Sequence, residues 1–267
     1  MLAGARSFAR HVVLAVPVLL YAGIPFAVAV AEAAAADGEA SITPSEALSR
    51  LKSGNDRFSH DAVLGQAVDS ARRAVLAQGQ SPFAMVLSCA DSRVPPEVVF
   101  NVGLGDLFVV RAAGEVTDRS ILASLEYGAE HLHTPLLVVL GHESCGAVKA
   151  ASEAVGAGKH VASHGPNLDY LLHAIEPAVA RAAKTPEEAR LAAAIKANVD
   201  LVIDDMLRSS TILRTLVHDH KLQLVGAYYE LASGRVLFSD TPHEVTDAQL
   251  KRSRPKLAAK TASARSH

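Results

Sequence analysis

Three short apolar runs dominate the middle of the chain: Phe83–Leu87, Leu107–Val110 (within Asp106–Arg111) and Leu136–Leu140. Each is too short for a helix and carries no polar alternation, the pattern of strands buried on both faces of a parallel sheet. The segment Arg119–His131, with Ile121, Leu122, Leu125 and Ala129 on one face, reads as a helix crossing between the second and third strands. Strand, helix, strand in this order predicts an α/β fold. In such folds reactive groups sit in the polar turns at the carboxyl ends of the strands. Two turns of that kind follow the first and third runs: Ser88-Cys89-Ala90-Asp91-Ser92-Arg93 and Gly141-His142-Glu143-Ser144-Cys145-Gly146. The two cysteines of the chain both lie there.

Flanking signals extend the reading. Thr43-Pro44-Ser45-Glu46 has the capping-box pattern with proline at the first helical position. Arg72–Gln78 predicts a short helix ended by Gly79, and Pro95-Pro96 opens a loop or short helix over Val94–Asn101. Further helices are expected at Cys145–Ala154, with Cys145 in the first turn, at Leu168–Ala183, at Pro186–Asp205 and around Ser209–His218. Gln223–Tyr229 and Gly234–Phe238, joined by Ala232-Ser233-Gly234, predict a hairpin. The expected fold is α/β: a mostly parallel central sheet with an antiparallel edge strand, flanked by helices.

Residues 1–36 read as an export signal. Arg6 and Arg10 precede a long apolar stretch, His11–Ala31, and small-x-small cleavage options follow at Ala29-Val30-Ala31 and Ala34-Ala35-Ala36. The alternative is an uncleaved membrane anchor. Either places the body outside the cytoplasm, in the periplasm or otherwise exported; with the signal cleaved, no stable membrane insertion is expected. Residues 37–250 form one α/β domain, and 251–267 a basic, disordered tail with a balance of +6. The net charge of −2 leaves about −9 on the body, and aromatic residues make up 4% with no Trp. A nucleic-acid partner is therefore not expected.

In an exported protein two cysteines most often pair as a disulfide, which makes a binding or structural module the rival reading. Position favours zinc. His142-x-x-Cys145 and Cys89 supply two thiolates and an imidazole from two strand ends, a three-ligand set with one coordination position open. Asp91 and Arg93 stand two residues apart beside a candidate ligand, where the guanidinium can hold the carboxylate ionised.

With these residues the chain resembles the β-class carbonic anhydrases from about Pro44 to Phe238. The likeness is carried by Gly79-Gln80-Ser81-Pro82, Ser88–Val94, Gly105–Arg111, Ser124-Leu125-Glu126-Tyr127-Gly128 and Val138–Lys149. It implies one Zn2+ per subunit on Cys89, His142 and Cys145, with Asp91–Arg93 as the catalytic dyad. It also implies reversible hydration of carbon dioxide to bicarbonate by zinc-bound hydroxide, in a homodimer or higher homo-oligomer. By position, Gln80 matches a substrate-binding glutamine. Phe108 and Tyr127 match pocket-wall aromatics, the tyrosine coming from the neighbouring subunit; core packing is the alternative for both. Gly146 would let the backbone approach substrate, or ease helix packing. Members with a bicarbonate-regulated inactive state carry a Trp three positions before the first cysteine ligand. Here Val86 stands there, which implies an open water position rather than Asp91 ligation at rest. Glu143 and Glu115 depart from the family's pattern, and relatives that hydrolyse carbon disulfide or carbonyl sulfide leave those substrates open.

Overall fold

The apolar runs pair side by side as predicted. In a computed structural model describing residues 42–62, 68–156, 165–240 and 242–252, β1 (Ala84–Ser88) lies between β2 (Leu107–Arg111) and β3 (Leu136–His142), parallel to both. β4 (Gln223–Tyr229) continues the parallel sheet beside β3. β5 (Val236–Phe238) closes it as an antiparallel edge, giving the order β2-β1-β3-β4-β5. Every residue of β1 and β3 is buried, which is why neither run carries a polar alternation.

Helices bury both faces. On one face Ala84, Val86, Leu136, Val138 and Leu140 pack under α1 (Pro44–Ser59) and α3 (Pro96–Val99) through Leu51 and Val99. On the other, Met85, Leu87, Leu137 and Val139 pack under α4 (Arg119–Glu130), α7 (Glu187–Ser209) and α8 (Thr211–His218). A third cluster sits beyond the carboxyl ends, where α5 (Gly146–Gly156), α6 (Pro166–Arg181) and the first half of α7 surround Cys89 and Cys145. The remaining short helix, α2 (Ser70–Leu76), precedes β1.

The capping box forms as read: Thr43 N–H donates to Glu46 (2.8 Å) and Glu46 N–H to Thr43 Oγ1 (3.2 Å). Three local expectations change. The β4–β5 turn is longer than three residues, because Gly234 adopts φ +71° and the Gly234 N–H closes back on Glu230 O, so β5 starts at Val236. Cys145 lies just before α5 instead of in its first turn, its carbonyl accepting the N–H of Lys149. A ninth helix, α9 (Asp247–Arg252), runs into the stretch read as tail; Thr246 and Gln249 cap it reciprocally at 2.8 and 3.4 Å. Residues 1–36 and 253–267 lie outside the described residues. Among the described residues no helix is long and apolar enough to cross a membrane.

Asn55 ties α1 to the rest of the body. It is buried, donates to Val99 O (3.1 Å) and Gly234 O (2.8 Å), and accepts from Val236 N–H (2.8 Å). Asn55→Ala would leave buried backbone groups of two elements without partners, at about 1–3 kcal/mol each before relaxation. The expected loss is about 2–4 kcal/mol, read as a lower urea midpoint; an unchanged midpoint would contradict this account.

Candidate metal centre

The register of the sheet builds the site. Ser88 pairs with Leu140 on one side and Arg111 on the other, so Cys89 leaves β1 beside the end of β3, whose last residue is His142. Arg111 holds the segment after β1 from below: Nε donates to Cys89 O (3.0 Å) and Nη2 to Asp91 O (2.6 Å). The segment after β3 is tied to β4. Glu143 N–H donates to Tyr229 O (2.8 Å), and the Glu143 carboxylate accepts from Leu231 N–H (2.9 Å).

Cys89, His142 and Cys145 are all buried, and their ligand atoms lie within 4.8 Å of one another. Both cysteines are free thiols with sulfurs 4.0 Å apart, close to the edge of a tetrahedral zinc–thiolate site at about 3.8 Å and far from the roughly 2.05 Å of a disulfide. His142 Nδ1–H donates to Glu143 O (2.9 Å), which fixes the tautomer and turns Nε2 toward the sulfurs. Nε2 is buried and makes no hydrogen bond among the described residues. A lone pair left without a donor between two cysteines fits a cation with thiolate and imidazole preferences, as zinc has.

The electrostatics agree. Without a cation the two sulfurs share a proton. Cys145 retains it, hydrogen-bonded to Cys89 and disfavoured as a thiolate by burial and by Glu115. Cys89 is pushed down, first by the Cys145 thiol and, against burial, by His142 and the Gly114 N–H, which lies 3.3 Å from its sulfur. The Arg93 guanidinium grips Asp91 through Nε (2.9 Å) and Nη2 (2.7 Å), with Arg93 N–H adding a third bond at 3.0 Å. This holds the Asp91 carboxyl far below the usual carboxylate range. Asp91 Oδ2 stands 3.8 Å from His142 Nε2, so an ionised carboxylate borders the point where the three ligand atoms converge.

A model of the family described as carbonic anhydrase matches residues 84–236. Carbonic anhydrase 2 of Mycobacterium tuberculosis is 37% identical over 199 residues, covering 74% of this chain and 93% of its own. The carbonic anhydrase of Mycolicibacterium smegmatis is 37% identical over 193 residues, covering 72% and 92%. Among solved structures, the Coccomyxa β-carbonic anhydrase in complex with acetazolamide is similar with a TM-score of 0.59 at 26% identity, over 77% of this chain and 95% of that one.

The chain is a β-class member of the carbonic anhydrase family.

Within one chain of this β-class carbonic anhydrase the residues read from sequence fall into two groups. Cys89, Asp91, Arg93, His142 and Cys145 meet at the carboxyl ends of β1 and β3, with Gly146 next to them at the start of α5. Gly146 is exposed, and a Cβ there would meet nothing within 4 Å, so helix packing does not require the glycine. Gln80 is exposed ahead of β1, at the opposite end of that strand from Cys89. Phe108 is the second residue of β2, opposite Met85, and stacks with Tyr127 of α4 at 6.2 Å between ring centroids. Tyr127 is 47% exposed. One chain alone therefore does not bring Gln80, Phe108 or Tyr127 to the cysteines.

Sequence reasoning missed two side chains here, Arg111 and Asn198, and marked Glu115 only as a departure from the family's pattern. Glu115 is fully buried with φ +44°, and accepts a bond from Asn198 Nδ2 (3.0 Å). Burial pushes its carboxyl up to about 8, outweighing the Asn198 bond. A carboxyl raised in this way stays protonated in the fold while the unfolded chain ionises near the ordinary 4.5. Its contribution to stability is complete below that value and is lost as pH rises toward 8. Urea midpoints of the metal-free protein should therefore show Glu115→Gln gaining on the native chain between about pH 5 and pH 8; a constant difference across that range would refute the shift.

Proposed function

We propose that the chain catalyses the reversible hydration of carbon dioxide to bicarbonate and a proton, with one zinc ion per subunit on Cys89, His142 and Cys145. Zinc supplies the Lewis acidity that makes water a nucleophile near neutral pH. The observation that carries the reading is the position of Asp91, ionised by Arg93 and 3.8 Å from the one unpartnered ligand nitrogen. From there the carboxylate accepts a hydrogen bond from the attacking oxygen and turns a lone pair toward the carbon of the substrate. Arg93 keeps Asp91 in that orientation; with both carboxylate oxygens bonded to the guanidinium, Asp91 serves as an acceptor and not as a fourth ligand. Val86 in place of a Trp agrees with an open resting state.

The remaining groups fit around this step. The uncrowded backbone at Gly146 leaves room for a small substrate. Gln80, Phe108 and Tyr127 serve the pocket across a subunit interface, in a homodimer or a larger homo-oligomer. That assignment is supported by their distance along the strands from the cysteines within one chain and by the exposure of Tyr127. The protein acts outside the cytoplasm once residues 1–36 have directed its export. Carbon dioxide and bicarbonate are its ligands; a nucleic acid is not.

Asp91→Ala should retain zinc, measured by metal analysis, while stopped-flow carbon dioxide hydration falls by about 100-fold or more. Full activity in the zinc-loaded variant would remove Asp91 from the mechanism. Absence of zinc from the purified native protein, with a Cys89–Cys145 disulfide, would remove the mechanism altogether.

A further inference from the structure

The turn that donates to Cys89 is held from the far side by a buried asparagine. Residues Ala113–Glu115 form one turn of 3-10 helix after β2, with Gly114 at φ +62° and Glu115 at φ +44°. Two successive residues in the left-handed region need outside support, the second being a non-glycine. A side chain at Gly114 would be strained by the positive φ, and its Cβ would press on Ile175 Cδ1 at 2.8 Å. Support comes from Asn198 in the middle of α7. Its Nδ2 donates to Gly114 O (2.8 Å) and to Glu115 Oε1 (3.0 Å), and the side chain is fully buried. With its carbonyl held there, Gly114 turns its N–H to the sulfur of Cys89 at 3.3 Å.

We infer that Asn198 is a positioning residue for the metal ligand Cys89: by pinning the 113–115 turn it keeps the Gly114 N–H on the thiolate. An N–H bond to a thiolate withdraws electron density from the sulfur and orients its remaining lone pairs. In a centre with two thiolates, this moderates sulfur donation and leaves the metal a stronger Lewis acid. Glu115 has a different part. It presents an acceptor that keeps the Asn198 amide in place, and a neutral carboxamide supplies the same acceptor.

The inference rests on the reading of Cys89 as a metal ligand, and cobalt substitution separates the two. The native chain loaded with Co2+ is expected to show a sulfur-to-metal charge-transfer band in the near ultraviolet. Asn198→Leu, which keeps the volume and removes both donors, should move that band to longer wavelength and lower zinc affinity in chelator competition by about 10-fold. Glu115→Gln should leave both at native values. If Asn198→Leu fails to fold, Asn198→Ser, which shortens the side chain and weakens the contact, is read in the same way and should give a smaller shift in the same direction. A native band that neither Asn198 variant moves would overturn the positioning role, as would a shift in Glu115→Gln as large as that in Asn198→Leu, because the cause would then be charge. No charge-transfer band in the native protein would overturn the metal reading itself.

Discussion

Because β1 and β3 run parallel with Ser88 opposite Leu140, their chains leave the sheet side by side, and residues 53 and more positions apart arrive within contact of each other. A slip of one residue in this pairing would exchange the two faces of β1. Met85 and Leu87 would turn toward α1, and Cys89 away from Cys145. The fully apolar core on both faces of β1 and β3 enforces the register, so the hydrophobic packing of the sheet is also the device that sets ligand geometry. The polar groups then refine it. Arg111 fixes the backbone after β1, Glu143 ties the backbone after β3 to β4, and the Gly114 N–H meets the sulfur between them.

Around that frame the electrostatic work is divided between two carboxyl groups in opposite environments. Asp91 is partly open to solvent and paired with a guanidinium, which favours its charge. Glu115 is fully buried with an amide for company, which disfavours charge. Their different environments separate a carboxylate held ionised beside the ligand cluster from a carboxyl embedded in the scaffold.

Much of this was legible before any coordinates. The apolar runs and the polar turns after them specify the parallel sheet and the meeting of Cys89 with His142 and Cys145, because both follow from a rule about strand ends. The groups behind the site were not legible, for physical reasons that differ. Arg111 acts on carbonyls 20 and 22 positions away, and a guanidinium bonded to backbone leaves no residue pattern. Asn198 did leave a trace: it lies on the face of α7 that carries Ala194, Ile195 and Val202, a polar side chain on a buried stripe. The cap of α9 was also readable as Thr246-x-x-Gln249, but the basic residues just beyond it pointed to an unstructured end. Gln80 illustrates a different limit, since positional matching implies a role without saying which subunit supplies it.

The wide separation of the ligands along the chain has a kinetic side. Cys89 and Cys145 can meet only after β1 and β3 have closed a loop of roughly fifty residues, and Asn198 reaches the turn only after α7 has docked on the sheet. Loops of this length close slowly, in the manner of parallel sheets with high contact order. An ion captured by groups that assemble after the folding barrier cannot lower that barrier. It acts on the return path, slowing escape from the native state. The half-life of the folded protein, rather than the speed at which it forms, is where the metal would leave its mark.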